Sequence, residues 1–174
     1  MRGLARFVGG LVLVMGFALP QSLSAQEEGT RLPIPHENVI SANPFLLLFE
    51  WVNVEFEHKV GAETTVGAIG SSVSFDDGDV RLAGASGFLR YYPQGSALSG
   101  FYLEGRIALL HGEDEDGSGT VYGPGIHIGY NWLFGANRNF YLSMGLGVTR
   151  LFGEDIDGRV VLPEFRLLKI GIAF

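Results

Sequence analysis

The chain has 174 residues, with 26 glycines, no cysteine and a formal net charge of −7 at pH 7. Its length allows one domain or two small ones, and the lack of cysteine excludes a disulfide scaffold and thiolate metal sites. The acidic balance argues against nucleic acid as a partner, because phosphate binding needs clustered Lys and Arg. A hydrophobic share of 47%, with 12% aromatic residues, argues against a disordered chain.

Residues 1–25 have the organisation of a secretory signal peptide. Arg2 and Arg6 form a positive n-region, residues 7–19 form an apolar run, and Ser-Leu-Ser-Ala precedes Gln26. A transmembrane anchor is the alternative, but the apolar run is short for ~30 Å of hydrocarbon. We therefore expect export and removal of residues 1–25, which lowers the formal net charge from −7 to −9.

The rest of the chain divides into a short flexible leader, 26–36, and a single domain, 37–174. The leader is polar and contains proline, whereas the domain shows apolar residues alternating with small or polar ones. Period-two alternation interrupted by turn signals predicts an all-β domain. The alternation predicts eight strands, at about 37–47, 51–59, 63–75, 81–92, 98–111, 125–134, 139–152 and 164–174.

The predicted connections alternate in length and charge. Three are short and nearly uncharged, at 60–62, 93–97 and 135–138, and three are acidic, at 76–79, 113–117 and 154–158. In an up-and-down meander, alternate connections lie at opposite ends, so the three acidic loops share one end. This asymmetry is typical of outer-membrane barrels, which have short periplasmic turns and longer external loops. The link at 48–50 should also be external, and it is too short to fit this pattern.

The two faces of most strands differ in composition. One is apolar and aromatic, and the other carries Gly, Ser, Thr, Asn and a few charges; in the third strand Ile69 and Val73 oppose Ala68 and Gly70. A membrane barrel turns its apolar face outward, whereas a soluble barrel turns it inward. Small residues suit a narrow interior, and aromatic residues gather near the short turns like an interfacial girdle. These are Tyr130, Trp132, Phe134, Phe140 and Phe174.

We therefore expect the apolar face to meet lipid and the polar face to line the lumen. The alternative is a soluble periplasmic barrel that binds a small apolar ligand, with Phe101, Ile128 and Leu146 inside. In the membrane arrangement, alternation places the following residues in the lumen: Glu55, Glu57, Arg90, Glu104, Arg106, His127, Asn131 and Lys169. An eight-stranded interior is just filled by its own side chains, and buried charges must pair. The sequence thus predicts a salt-bridged polar plug.

Several short motifs resemble one family of proteins. The chain stops at Phe174 in a strand with alternate apolar residues, and it contains Val54-Glu55-Phe56-Glu57, Gly87-Phe88-Leu89-Arg90-Tyr91-Tyr92-Pro93 and Gly100-Phe101-Tyr102-Leu103-Glu104-Gly105. On these residues the chain resembles the small eight-stranded outer-membrane barrels of the OmpA and OmpX type. More narrowly, it resembles an uncharacterised family of bacterial "outer membrane protein beta-barrel" domains.

The resemblance implies a fold and a location. The fold is an all-β, eight-stranded, antiparallel up-and-down transmembrane β-barrel, and the location is the outer membrane. The resemblance also implies that the barrel-insertion machinery reads Phe174. The family carries no established common activity, so a structural or surface-interaction role for a monomer is expected.

An enzyme acting on envelope lipids is the rival interpretation. Lipid A deacylases place a Ser two residues after a His, whereas here Gly129 follows His127. His111 at the rim is followed by Gly112 and Glu113, again without Ser. A site that uses lumenal Glu and His would still need an activated nucleophile or a substrate pocket, and neither is recognisable. The sequence therefore assigns no catalytic residue and no cofactor-binding residue.

The acidic loops raise the question of a metal site. Asp155-Ile156-Asp157-Gly158 and Asp114-Glu115-Asp116-Gly117 contain the oxygen ligands that Ca²⁺ prefers, but they lack the later bidentate Glu of an EF-hand. Asp-Gly is also favourable in hairpin turns. We therefore assign no metal ligand and expect solvated hairpin tips. The acidic end leaves one hypothesis for a partner, namely lipopolysaccharide bridged to the loops by divalent ions.

Overall fold

The computed structural model describes residues 36–75, 80–114, 117–153 and 160–174. They form eight antiparallel strands, each paired with its neighbours along the chain, and β8 pairs with β1 to close a barrel. The strands are β1 Asn38–Ala42, β2 Val52–Lys59, β3 Thr64–Phe75, β4 Val80–Tyr91, β5 Gly100–Asp114, β6 Gly117–Phe134, β7 Phe140–Leu151 and β8 Val160–Ala173, with helix α1 Pro44–Leu47 after β1. The predicted fold, an eight-stranded up-and-down barrel, is confirmed.

Some sequence predictions concern residues outside the described ranges. These are the signal peptide, nearly all of the leader, and most of the three acidic loops, at 76–79, 115–116 and 154–159. The predicted signal peptide and the loop hypotheses therefore remain predictions. Within the described ranges, no helix has the length and hydropathy needed to cross a membrane.

The first strand is shorter than predicted. It ends at Ala42 rather than at residue 47, because Pro44 has no N–H to donate to a strand and has the φ angle of a first helical turn. Asn43 caps α1, and its Oδ1 accepts from the N–H groups of Phe45 (3.0 Å) and Leu46 (3.3 Å). The connection between β1 and β2 therefore spans 43–51 instead of 48–50 and is longer than predicted.

The barrel wall is low on the side of β1 and β2. β1 has five residues and β2 has eight, whereas β3 to β8 have 12 to 18. β1 pairs with β8 only at 170–173, so 160–169 of β8 have no strand partner on that side. α1 contacts β8 and β2 there, and Asn43 Nδ2 donates to the Leu167 carbonyl (3.0 Å). A membrane-spanning strand needs about 9–11 residues, so β1 reaches only about half of that span.

Three strands are longer than predicted. β5 continues to Asp114, β6 begins at Gly117 instead of residue 125, and β8 begins at Val160 instead of residue 164. The prediction stopped at glycines and acidic residues, which are poor strand formers alone. The ladder between β5 and β6 keeps this segment extended nevertheless, with Gly112 opposite Gly119 and Glu113 opposite Ser118.

The side chains alternate across the wall largely as expected. Ile107, Ile128 and Leu146 point outward, with exposed fractions of 63%, 43% and 52%. This contradicts the soluble-barrel alternative, which placed Ile128 and Leu146 inside. Phe101 alternates with the buried Tyr102 and so also faces outward.

In β3 the order of the two faces is the reverse of the prediction. Ile69 and Val73 are buried in the lumen, and Ala68 and Gly70 face outward. Thr65 shares the inner face of β3, and its hydroxyl donates to the Glu57 carboxylate (2.5 Å). This contact fixes which face of β3 points inward. The face of β3 that points into the lumen is therefore set by cross-strand contacts and not by which face is more apolar.

β8 contains a β-bulge. Ser143 of β7 pairs with Lys169, but Gly145 pairs with Arg166, so Leu167 and Leu168 together oppose Met144. A bulge inserts one residue and inverts the alternation beyond it. The predicted alternation holds toward the C-terminus of the bulge, where Lys169 and Ala173 are buried and Ile172 is exposed. It fails on the other side, where Arg166 points inward.

The short-turn end of the lumen is filled by apolar side chains. Val39, Leu98, Tyr141 and Ala173 form a buried cluster there. Leu98 was predicted to begin the fifth strand, but it lies in the turn before β5 with a φ of 73°. The strained backbone is accompanied by complete burial of the leucine side chain.

Candidate functional site

The candidate site is a cluster of charged side chains in the middle of the lumen. All eight residues that the sequence predicted to face the lumen are buried, none with more than 8% of its surface exposed. Two further charged residues, Glu164 and Arg166, join them. We call the following set the lumen cluster: Glu55, Glu57, Arg90, Glu104, Arg106, His127, Glu164, Arg166 and Lys169. Its four carboxylates balance its four Arg and Lys cations.

Arg90 is the centre of the lumen cluster. Its Nη2 lies 2.7 Å from Glu55 and its Nε 2.8 Å from Glu104, and its Nη1 contacts Glu57. The guanidinium also lies over the rings of Phe88 and Tyr102, at 4.3 and 4.6 Å from their centroids. A guanidinium offers five N–H donors in a fixed plane, and here its donors meet three carboxylates from two strands. Arg90 thereby joins β2 to β5 from its own position on β4.

Glu57 is surrounded by hydroxyl donors as well as by Arg90. Tyr92 donates to its Oε1 (2.6 Å), and Thr65 donates to the same oxygen (2.5 Å). Asn131 Nδ2 donates in turn to the Tyr92 hydroxyl (2.8 Å). Donors to a carboxylate offset the loss of its hydration on burial. The arrangement is therefore suited to holding an ionised carboxylate in a dry space.

The upper part of the cluster links β5 to β8 across the lumen. Arg166 Nη1 donates to Glu104 Oε2 (2.6 Å), and Arg106 Nη1 donates to Glu164 Oε2 (2.7 Å). Lys169 contacts Glu55, which ties β8 to β2 past the short β1. The cluster therefore connects strands that share no backbone ladder.

Sequence reasoning missed Glu164 and Arg166 because of the bulge in β8. Counting back by two from Lys169 places residues 167 and 165 in the lumen and Arg166 in lipid. The signal that could have revealed the bulge is the spacing itself. Arg166 and Lys169 are both basic and three residues apart, so a regular strand would turn one of them toward lipid.

His127 lies between two carboxylates. Its Nδ1 is 3.5 Å from Glu104 Oε1, and its Nε2 is 3.3 Å from Glu164 Oε2. Gly147 on the neighbouring strand leaves room for the ring, since a Cβ there would lie 2.0 Å from His127 Cδ2. The histidine faces the lumen, as predicted, and both ring nitrogens lack a hydrogen bond.

The described residues of the lumen contain no serine–histidine pair. The hydroxyl groups of Ser41 and Ser143 are buried without a hydrogen-bond partner, so neither is linked to His127. Activation of a serine requires a base within hydrogen-bond reach. No group of three or more potential metal ligands occurs among these residues either. The geometry of the lumen cluster is that of mutually paired charges.

The outer surface is apolar over most of the strands. Exposed outward residues include Phe56, Leu89, Leu103, Ile126, Val148 and Phe165. Aromatic side chains gather near the short turns, where Tyr130 packs on Trp132 (4.7 Å between ring centroids) and Phe134 on Phe140 (6.3 Å). This is the predicted girdle. A second aromatic pair, not predicted, lies near the acidic end, where Tyr122 packs against Phe152 and Arg150 lies over the Phe152 ring.

The barrel is thus polar inside and apolar outside, with eight strands in an up-and-down order. The chain has the fold of the small eight-stranded barrels. It is similar to the N-terminal β-barrel domain of OprF from Pseudomonas aeruginosa, with a TM-score of 0.48 and 15% identity over 80% of this chain and 98% of that one. It is also similar to the outer membrane protein Ail of Yersinia pestis, with a TM-score of 0.44 and 16% identity over 80% and 99%. No family model and no curated protein sequence matches the chain.

Proposed function

We propose that this chain is an integral outer-membrane protein with a structural or surface-interaction role. The observation that carries the proposal is the inverted barrel, in which charged side chains are buried and large apolar side chains are exposed. Water favours the opposite arrangement, and soluble proteins rarely expose apolar patches beyond a few hundred Å². Lipid favours the observed one, because every backbone group is paired within a closed ladder. The exported, mature chain would follow cleavage after residue 25.

The lumen cluster serves in this proposal as a plug that stiffens the barrel. Its charges balance, its members pair across the lumen, and an apolar layer lies below it at the short-turn end. Ion passage would require breaking contacts between fully buried charges, which costs several kcal/mol per uncompensated ion. A role in catalysis is not part of the proposal, because no described serine is activated by His127.

Cell-envelope fractionation tests the location, and gel mobility tests the closed barrel. The protein should partition with the outer membrane and require detergent for extraction. Unboiled protein should migrate differently from boiled protein on a denaturing gel, because a closed ladder resists detergent. Recovery in the soluble periplasmic fraction, or equal migration with little β-structure by circular dichroism, would overturn the proposal.

Lipopolysaccharide is the proposed partner at the acidic end. The sequence places Asp76, Asp77 and Asp79 in one loop and further acidic residues in the other two. Like charges would repel the phosphates of lipopolysaccharide unless divalent cations bridged them. Purified protein should therefore bind lipopolysaccharide in the presence of Mg²⁺ or Ca²⁺ and lose that binding on addition of a chelator. Equal binding with and without the chelator would refute the bridging role.

The closed seam supports two smaller proposals, which concern the oligomeric state and insertion. Phe174 N donates to the Asn38 carbonyl and Asn38 N to the Phe174 carbonyl, both at 2.9 Å, so β1 and β8 are joined at the short-turn end. We infer a monomer, since β1 and β8 satisfy each other's backbone hydrogen bonds within one chain.

The C-terminal residues carry the second proposal. Ile172 and Phe174 face outward, and we expect the insertion machinery to recognise these two side chains. A Phe174→Ser variant should assemble more slowly in cells while it still folds in detergent.

A further inference from the structure

The upper lumen, between the lumen cluster and the acidic end, is lined by apolar side chains. Val73 and Leu151 are buried there, and Leu110 lies against the inward-facing Gly84. Leu82 pairs with Val73 on the inner face, yet 38% of its surface is exposed. Apolar side chains exposed on an inner wall form a surface that water does not stabilise.

The low wall bounds this surface on the side of β1. Beside 160–169 of β8 the wall consists of α1 rather than of a paired strand, and the side-chain amide of Asn43 donates to the β8 edge. Phe45, Leu47, Leu48 and Phe49 are exposed on this segment. Because β1 is about half the length of a spanning strand, the segment lies at the depth of hydrocarbon and not of water.

Two unpartnered polar atoms lie at the start of β2. Trp51 Nε1 and Asn53 Oδ1 are both buried without a hydrogen-bond partner. They lie two residues apart, on the same inner face as Glu55. Trp51 Nε1 carries an N–H group that can donate to an ester carbonyl of an amphiphile.

From these observations we propose that the upper lumen binds an acyl chain of an outer-leaflet lipid, which enters between α1 and β8. The inference rests on the proposed function, since it needs the barrel to span a membrane. Hydrocarbon is the occupant because the inner wall is apolar, the low wall faces the hydrocarbon layer, and the segment that forms that wall is itself apolar. Trp51 Nε1 would donate to the ester carbonyl at the polar end of that chain.

Tryptophan fluorescence tests the proposal, because Trp51 lines the site and Trp132 lies on the outer face. The protein would be folded into phosphatidylcholine vesicles whose acyl chains are either brominated or unbrominated. A Trp132→Phe variant reports Trp51, and a Trp51→Phe variant reports Trp132. We expect bromine to quench both residues. Quenching of Trp132 alone would overturn the acyl-chain site and leave the membrane location intact, whereas quenching of neither would overturn the membrane location.

A matched pair of glycine variants separates an inserted chain from lipid outside the wall. In the Trp132→Phe background, Gly84→Leu fills the upper lumen, where a Cβ would lie 2.7 Å from Ser71 Oγ and 2.9 Å from Leu110 Cδ2, both of which are ends of side chains. Gly87→Leu adds the same side chain three residues later on the outer face, where no atom lies within 4 Å. Gly84→Leu should lose most of the quenching of Trp51, and Gly87→Leu should keep it. Equal quenching in the two variants would overturn the proposal. Ser71→Leu replaces Gly84→Leu if gel mobility shows that the latter does not fold.

Discussion

Arg166 and Lys169 both point into the lumen although only two residues separate them in β8. The bulge at Leu167 and Leu168 makes this possible, because it adds one residue opposite Met144. Arg166 thereby reaches Glu104, and Lys169 reaches Glu55. A regular strand would have to place one of the two cations in lipid.

Deletion of Leu168 tests this role of the bulge. The deletion leaves only Leu167 between Arg166 and Lys169, so a regular strand turns both cations inward. We therefore expect a folding yield in vesicles close to that of the wild-type chain. Deletion of Ile170, which lies outside the bulge, serves as the control, because it inverts the alternation on one side of the deleted residue. Equally large losses of folding yield for the two deletions would show that the bulge does more than align the two cations.

Ile128 and Leu146 are opposite each other in β6 and β7 and both face outward. Ile128→Arg and Leu146→Arg should each lower the free energy of unfolding in vesicles by about 2–4 kcal/mol, because they place a cation in hydrocarbon. Urea titration measures the change, with Leu146→Ala as the apolar control. Normal stability of both Arg variants would mean that the outer face does not contact lipid.

A double-mutant cycle on Glu104 and Arg106 measures how dry the lumen cluster is. Glu104→Gln leaves Arg90 and Arg166 without this partner, and we expect a cost of about 3–5 kcal/mol if water cannot enter. Arg106→Leu should lower the free energy of unfolding less. Its contact with Glu104 is longer, at 3.2 Å, and its second partner, Glu164, is partly exposed. The double variant should cost less than the sum of the two. Strictly additive and small effects in urea unfolding would indicate a hydrated lumen.

Tyr91 and Tyr92 are adjacent residues with opposite environments. The Tyr92 hydroxyl donates to Glu57 and is completely buried, whereas Tyr91 is 42% exposed on the outer face. Tyr92→Phe removes a hydrogen bond to a charged group, which is worth about 1.5–3 kcal/mol. Tyr91→Phe should leave the free energy of unfolding within experimental error. Similar effects of the two substitutions would contradict the hydrogen-bond network around Glu57.

Glycines on the two faces should respond differently to a methyl group. Gly147→Ala places a Cβ 2.0 Å from the His127 ring and 2.5 Å from the Ile126 carbonyl, so we expect lower stability or a displaced β7. Gly105→Ala adds a methyl group to the outer face of β5, with no atom within 4 Å, and should be neutral or stabilising, because glycine weakens a strand. Thermal unfolding in detergent compares the two. A greater loss for Gly105→Ala would show that the assignment of faces is wrong.

The sequence predicted the strand order and the polar interior because both follow from local alternation. It misjudged β3, where Ile69 and Val73 face the lumen, since alternation defines two faces but not which of them points inward. It missed Arg166 because a bulge depends on pairing with β7 and leaves little trace in the hydropathy pattern. Pro44 interrupts the strand predicted at 37–47, but the helix that replaces its second half depends on the cap formed by Asn43.

The contact between Lys169 and Glu55 has a consequence for how the barrel forms. The two residues belong to β8 and β2, on either side of β1, so they meet only when the sheet rolls up and its first and last strands join. Until that moment an open sheet would hold Lys169 without this carboxylate. Joining the seam and neutralising the interior are therefore one event, and partially rolled forms should be sparsely populated during assembly.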